Sequence, residues 1–276
     1  MGNATPARGG YRIIALIIAS AFFMEQLDST IIATALPAMA ESLGADPVRM
    51  NFAMTAYLLA LAVFIPISGR IADRLGTRNT FRGAIALFVL SSVLCGMAQN
   101  LPWLIGARLL QGASGAMMVP VGRLVLLRSV EKSQLVAAMS WVLIPAMVGP
   151  AVGPLIGGVL TTYLSWHWVF YINVPIGLAG IALATLYIPD IRSDAPSAPF
   201  DYVGFALTGG TLAALLVGLE GLGHGGPGTT TLALLAVAGT CTLLYVRHCK
   251  HHPQPVLDFS LLRIPTFQVA IRGGVL

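Results

Sequence analysis

The feature that most constrains this chain is a succession of long apolar stretches. Each contains about 20 mostly apolar residues, which is the length that an α-helix needs to cross the hydrocarbon core of a bilayer. We predict spans over 13–38, 50–70, 80–98, 102–127, 134–160, 168–188, 202–222 and 230–247, with a ninth starting near 266. Transmembrane β-strands are about 10 residues long and alternate in polarity, which these stretches do not. The sequence therefore predicts an all-α polytopic membrane protein.

The composition agrees with a membrane-embedded chain. Of the 276 residues, 56% are hydrophobic and 10% are charged, whereas soluble domains carry about 25% charged residues. Because so little charge cannot build a water-facing surface over a chain of this length, we expect the lipid bilayer to surround it. The net charge of +5 is modest and is explained by basic residues at the cytoplasmic ends of spans, so nucleic acid is not an expected partner.

Catalytic and metal-binding patterns are weak in this sequence. Cys95, Cys241 and Cys249 are scattered and give neither a disulfide framework nor a metal-ligand spacing. The segment RHCKHHP, residues 247–253, places three histidines around Cys249. We interpret it as a basic segment at the inner membrane face, because no second ligand cluster accompanies it. The phosphate-binding pattern GxxxxGK[ST] does not occur, so we predict neither an enzyme nor an ATP-driven pump, and no metal site.

Basic residues alternate between the predicted loops. The N-terminal tail and the second, fourth and eighth loops are basic, whereas the first, third, fifth and seventh loops share a single arginine. Since cytoplasmic loops collect Lys and Arg, we predict a multi-pass protein of the inner (plasma) membrane with a cytoplasmic N-terminus. The sixth loop is the exception, because Arg192 is accompanied by acidic residues. The chain ends partway through an apolar run, so we expect it to be part of a longer protein or a truncated reading frame.

A short basic turn, GRIADRLGTR, residues 69–78, joins the second and third predicted spans. Its two glycines permit a tight turn, and the Asp-Arg pair between them can hold a neighbouring helix end. The spacing closely resembles motif A of the major facilitator superfamily, at the place in the topology where that family has it. The resemblance implies a charge network that locks the two halves of a transporter in one state, although Thr77 stands where many members have a basic residue. The switch residues implied are Gly69, Asp73, Arg74, Gly76 and Arg78.

RLLQGASGA, residues 108–116, opens the fourth span. An arginine inside an apolar helix costs about 2.5–3.5 kcal/mol on insertion scales. Arg108 should therefore face protein or water, or snorkel to the outer surface roughly 9 Å away along the helix. The stretch resembles motif B of proton-coupled facilitators, in which the arginine takes part in proton transfer. The matching residues are Arg108, Gln111 and Gly112.

GPAVGPLIGG, residues 149–158, lies in the outer half of the fifth span. Prolines remove backbone donors and kink a helix, while glycines let a neighbouring helix pack closely. The string resembles motif C, which in this superfamily marks exporters that exchange substrate against protons; the matching residues are Gly149, Pro150, Gly153, Pro154, Gly157 and Gly158. About 12 Å into the same span, Trp141 either lines a cavity or packs between helices.

The first predicted span carries two acids, Glu25 and Asp28, on one helical face. Asp28 lies roughly 13 Å from Pro37 along the helix, and Arg108 enters from the same side to a comparable depth, so the two can share one cavity. The stretch LDSTIIATALP, residues 27–37, resembles the first span of the fourteen-span drug:proton antiporter branch, with its acid at Asp28. The resemblance implies that Asp28 exchanges protons as access alternates. The alternative is a permanent ion pair with Arg108, and Glu25 is a second candidate that the family pattern does not match.

The resemblance covers nearly the whole chain, including SWHWVFYINVPIG, residues 165–177, at the start of the sixth span. It implies a six-helix N-terminal domain over 1–190 and two additional transmembrane helices over 191–250. A cytoplasmic linker and the start of a C-terminal domain would follow over 251–276.

The function that the resemblance implies is proton-coupled export of amphipathic or cationic drugs, with this chain as the N-terminal portion of the antiporter. The proton gradient would supply the energy without a cofactor. The expected partners are protons, a small amphipathic substrate and, in a Gram-negative cell, periplasmic adaptor proteins. Two alternatives stay open: an antiporter for one specific metabolite or siderophore, and a truncated membrane protein without transport activity.

Overall fold

The computed structural model describes residues 10–191, 200–225, 228–252, 255–257, 259, 264–266 and 268–269. Within these residues the regular structure is helical throughout, which confirms the predicted all-α fold. A short 3₁₀ turn, Lys132–Gln134, precedes the fifth helix. The helices are α1 Gly10–Leu43, α2 Pro47–Leu75, α3 Thr77–Gly96, α4 Leu101–Ser129, α5 Leu135–Tyr163, α6 Trp168–Tyr171, α7 Asn173–Tyr187, α8 Tyr202–Gly225 and α9 Thr229–Cys249.

The predicted spans correspond to these helices in order. Among the described residues, eight helical segments are long and apolar enough to cross a membrane, as predicted. Most helices extend several residues beyond the apolar runs, because a helix continues into the interfacial region where polar residues are tolerated. Most of the predicted ninth span, and Arg192 of the sixth loop, lie outside the described residues.

The sixth span consists of two helical pieces, α6 and α7, separated at Ile172. Ile172 keeps helical dihedral angles, φ −58° and ψ −27°, so the two pieces form one continuous span. Pro175 has no N–H to donate to the carbonyl of Tyr171, which interrupts the hydrogen-bond ladder at this point. The interruption places Asn173 at the start of α7.

The chain divides into two compact units, Met1–Ala195 and Pro196–Leu276; the domain limits given by the resemblance remain a prediction. In the first unit, α1 is the central helix and packs against α2, α4, α5 and α7. Its buried side chains contribute to two apolar clusters, one around Phe22 and Phe88 and the other around Ile31 and Phe170. The central helix therefore brings its two acids, Glu25 and Asp28, into the interior of the unit.

The turn between α2 and α3 depends on Gly76. Its φ of +86° lies in the region that side-chain-bearing residues rarely adopt. The next residue, Thr77, donates through its backbone N–H and its hydroxyl to the carbonyl of Ile191, both at 3.3 Å. This turn thereby ties the start of α3 to the segment that follows α7.

The second unit is built on the pair α8 and α9, which pack against each other. Small residues allow the approach, since a Cβ at Gly221 would lie 2.7 Å from the Thr231 hydroxyl. Asp201 begins α8 as an N-cap, with Oδ1 accepting from the Gly204 N–H at 2.7 Å, as its position in the sequence suggests. Burial raises the pKa of Asp201, but this bond and a contact with His248 outweigh it and hold the pKa below its usual range.

Candidate functional site

A polar cluster lies in the interior of the first unit, where Asp28 accepts three hydrogen bonds. Arg108 Nη1 donates to Oδ2 at 2.6 Å, and the amides of Gln111 and Asn173 each donate to Oδ1 at 2.9 Å. Each of these four side chains belongs to a residue that is at most 1% exposed. The donors come from α4 and α7, so the carboxylate on α1 is held by two other helices. A buried charge in hydrocarbon is tolerated when it is paired and hydrogen-bonded in this way.

Ser92 on α3 extends the cluster to a fourth helix. Its hydroxyl oxygen accepts from Gln111 Nε2 at 2.8 Å and from Asn173 Nδ2 at 3.3 Å. Gln111 Oε1 accepts from Arg108 Nη1 at 2.6 Å and from the Cys95 thiol at 3.6 Å. The carboxylate is therefore part of a connected hydrogen-bond network across four helices rather than of a single ion pair.

The guanidinium of Arg108 also lies over an aromatic ring. Its Cζ is 4.2 Å from the centroid of the Tyr57 ring on α2, which is a cation–π contact. The approach of α2 to α4 requires Gly112, because a Cβ there would collide with the carbonyl oxygen of Tyr57. The two motif B residues thus act together, because Gly112 allows the close helix approach that places the Tyr57 ring against Arg108.

Glu25 lies one turn before Asp28 and is 6% exposed. Its Oε2 and the hydroxyl of Tyr57 are both buried and have no hydrogen-bond partner among the described residues. Both groups face Gly115, where a Cβ would lie 3.2 Å from the Tyr57 hydroxyl and 3.8 Å from Glu25 Cδ. The site therefore contains one carboxylate that is fully paired and a second that is not.

The motif A residues lie at the ends of helices. Asp73 Oδ1 is 2.7 Å from Arg128 Nη2, which joins the end of α2 to the end of α4. Arg78 Nη2 is 3.8 Å from a carboxylate oxygen of Asp190. A Cβ at Gly69 would meet nothing within 4 Å, so this glycine is not required by close packing in the first unit. Arg74 is also in contact with another group. The predicted role of this motif in locking two halves remains a prediction.

Three of the motif C glycines face the first helix. A Cβ at Gly149 would lie 3.0 Å from Gln26 Cβ, and Cβ atoms at Gly153 and Gly157 would collide with the hydroxyls of Thr30 and Thr34. Gly158 differs, because a Cβ there would meet nothing within 4 Å. Pro150 and Pro154 lie within α5 between these contacts. Gly149, Gly153 and Gly157 of motif C therefore form the surface of α5 that packs on α1.

Trp141 on α5 is 43% exposed. Its side chain is thus not enclosed between helices of the first unit, and a role in lining a cavity remains a prediction.

Among the residues that contact the predicted site residues, sequence reasoning missed Tyr57, Ser92, Arg128 and Asn173. Asn173 and Ser92 are uncharged polar residues within apolar spans, and such residues commonly face protein rather than lipid. That signal could have selected them as candidates, but it could not say which acid they contact. Arg128 carries no such signal, since a basic residue at a cytoplasmic helix end is expected in any case.

Comparisons with known proteins identify the family of this chain. The family profile described as Major Facilitator Superfamily matches residues 18–201. Proteins named "Putative multidrug resistance protein MdtD" from Salmonella heidelberg (strain SL476) and Salmonella typhi are each 43% identical to this chain over 259 residues. The alignments cover 94% of this chain and 55% of each relative. The chain thus spans about half the length of the curated relatives that it matches.

A solved structure has a similar fold. It is the human organic anion transporter MFSD10 (TETRAN), with a TM-score of 0.59 at 14% sequence identity. The superposition covers 81% of this chain and 59% of that one. At this level of identity the likeness concerns the helical architecture alone.

Proposed function

Because this chain belongs to the major facilitator superfamily, and so to a family of membrane transporters rather than enzymes, we propose that it takes part in proton-coupled antiport that exports amphipathic or cationic drugs. Transport would draw on the proton gradient and need no cofactor. The chain would lie in the inner membrane with its N-terminus in the cytoplasm.

The observation that carries the proposal is the buried carboxylate of Asp28. An ionisable side chain within a membrane bundle is costly and generally marks a functional site. As a carboxylate, Asp28 attracts Arg108 and accepts from Gln111 and Asn173. A proton on this carboxylate removes its charge and converts one acceptor oxygen into a donor. The contacts that join α1 to α4 and α7 would then weaken, and the helices would be free to rearrange.

This link gives antiport its physical basis. A transporter that alternates between two arrangements must bind protons more tightly in one of them, since only differential binding shifts an equilibrium. Hydrogen bonds from two other helices to Asp28 exist only in arrangements that keep those helices in place. The protonated form of Asp28 would therefore favour the other arrangement, in which these bonds are broken.

Glu25 supplies a second buried acid, one turn away from Asp28 on the same helix. Its Oε2 lacks a hydrogen-bond partner among the described residues, so it is the group that can respond to an incoming charge without first breaking an ion pair. We assign it an auxiliary role, as a counter-charge for a cationic substrate or as a second proton carrier. The name of the Salmonella relatives, which refers to multidrug resistance, supports drugs as the substrate class.

The test uses the complete reading frame that contains this sequence, expressed in cells that lack their own drug exporters. Asp28→Asn should abolish substrate-dependent proton movement in inverted membrane vesicles, while the protein stays in the membrane. Asp28→Glu keeps an acid and should retain part of the activity. Leu16→Ala, on the same helix but exposed and outside the polar cluster, serves as the control.

If Asp28 and Arg108 formed only a structural ion pair, removing both charges together should restore transport as well as folding. The double variant Asp28→Asn with Arg108→Gln removes the guanidinium that Asp28→Asn alone leaves buried without its carboxylate partner, so folding should recover relative to Asp28→Asn alone. Antiport should remain absent, because no acid exchanges protons at this position. Normal proton-coupled efflux by the double variant would overturn the proposed role of Asp28. Competition among chemically unrelated compounds for the same efflux then measures how broad the substrate range is.

A further inference from the structure

The second unit contains a cluster of donor side chains that the transport proposal does not use. Asp201 precedes α8, His248 lies in the last turn of α9, and His252 follows that helix. One ligand atom from each, a carboxylate oxygen or a ring nitrogen, lies within 4.8 Å of the other two. Asp201 lies 47 positions before His248 in the sequence, and the helix pair brings the three residues together at one of its ends.

The contacts within the cluster are direct. His248 Nε2 is 2.8 Å from Asp201 Oδ1, and the rings of His248 and His252 stack with centroids 5.1 Å apart. Asp201 is held in place by the Gly204 N–H. Its carboxylate lies across Gly204, where a Cβ would collide with Oδ2. The carboxylate of Asp201 and the two imidazoles are therefore held in place by contacts at the ends of α8 and α9.

A second observation points to a ligand. Asp201 is 3% exposed, yet its Oδ2 is buried without a hydrogen-bond partner among the described residues. A buried carboxylate oxygen usually has a partner. The two histidines are only half-buried, so an ion can reach the cluster from solvent.

We propose that Asp201, His248 and His252 bind a divalent transition-metal ion of the zinc class. Two imidazoles and a carboxylate form a ligand set that Zn²⁺ accepts at about 2.0–2.2 Å, with the fourth position left to water. Two such ligands on a tetrahedral ion lie roughly 3.3 Å apart. The 2.8 Å hydrogen bond between His248 and Asp201 needs to open by only about half an ångström. A bound ion would link the first turn of α8 to the end of α9.

The sequence alone did not give this site because its ligands are distant along the chain. Asp201 precedes His248 by 47 positions, and the histidine segment was interpreted as basic for want of a second ligand group. Folding supplies that group. The ion is proposed as a structural link in the second unit, separate from proton coupling at Asp28.

The experiment measures Zn²⁺ and Co²⁺ binding to the full chain, purified in detergent with a tag free of histidine. Co²⁺ in a tetrahedral site has visible absorption bands that report the geometry, and calorimetry gives the Zn²⁺ affinity. We expect one ion per chain and a rise in the thermal unfolding midpoint when Zn²⁺ is added. His252→Asn removes one ligand but keeps the contact between Asp201 and His248, so the fold is retained. It should weaken Zn²⁺ binding by about tenfold or more.

His251→Asn is the matched control, because His251 is exposed and contacts the carbonyl of Arg247 through Nδ1. Its Zn²⁺ affinity should equal that of the wild type, as should that of Cys249→Ser. Asp201→Asn, which retains an N-cap side chain, should weaken binding as His252→Asn does. Absence of Zn²⁺ binding by the wild type, or an unchanged affinity in His252→Asn, would overturn the proposal. So would an equal loss in the His251 control.

Discussion

At the scale of single residues, the cluster around Asp28 shows which partners a sequence discloses. Asp28 and Arg108 are conspicuous because each is a charge within an apolar span, and the structure places them 2.6 Å apart. Asn173 and Ser92 are uncharged, and membrane helices tolerate such residues at many positions. Only the packing of α3 against α4 and α7, and of α7 against α1, determines that these two reach the site. Asp28, Arg108 and Gln111 of motif B were therefore predictable from the sequence, whereas Ser92 and Asn173 required the fold.

Tyr57 provides a residue-scale prediction, because its ring and its hydroxyl have different surroundings. The ring lies under the guanidinium of Arg108, but the hydroxyl has no hydrogen-bond partner among the described residues. Tyr57→Leu should lower stability by about 1–2 kcal/mol through loss of a desolvated cation–π contact. Tyr57→Phe keeps the ring and should change stability by less than about 0.5 kcal/mol. Thermal unfolding followed by tryptophan fluorescence compares the two; equal losses would mean that the hydroxyl has a partner.

At the scale of helices, two motifs that were predicted separately form one interface. Gly149, Gly153 and Gly157 recur every four residues along α5, and they meet Gln26, Thr30 and Thr34, which recur every four residues along α1. Residues with this spacing share one face of a helix. The stretch of α1 that carries Asp28 is thus packed against these glycines of motif C along the face formed by Gln26, Thr30 and Thr34. The helices could be predicted from apolar length alone, but this pairing could not, since neither motif identifies the helix that it contacts.

Adjacent glycines on α5 provide the element-scale prediction. Gly157→Ala would drive a methyl group into the Thr34 hydroxyl and the carbonyl of Ile31, so α1 and α5 must separate. We expect a loss of about 1–3 kcal/mol together with reduced transport. Gly158→Ala enters open space and should be neutral or stabilising by up to about 1 kcal/mol, because alanine favours the helix. Thermal midpoints of the two purified variants test this, and a similar loss at both positions would contradict the packing.

At the scale of the whole molecule, the distribution of apolar surface is that of a membrane protein. On α5, Val136, Met147 and Leu155 are 79%, 75% and 69% exposed. In water such a surface would promote aggregation, whereas in a bilayer it can face lipid or another helix. A bilayer is therefore the environment in which these exposed apolar side chains are compatible with a stable fold. Which loops face the cytoplasm remains a prediction, made from the distribution of Lys and Arg rather than from the helices themselves.

That orientation is testable by labelling two exposed loop positions, Gln99 between α3 and α4 and Ser133 between α4 and α5. Each is changed to cysteine in a background where Cys95, Cys241 and Cys249 are serine. Because the two loops flank one span, a membrane-impermeant maleimide should react with only one of them from a given side.

In intact spheroplasts we expect Gln99→Cys to be labelled and Ser133→Cys to be protected. Inverted vesicles should give the opposite pattern, because the basic loop that contains Lys132 is predicted to be cytoplasmic. Labelling of Ser133→Cys in spheroplasts would mean that the N-terminus faces outward. Asp28 would then lie nearer the cytoplasmic face.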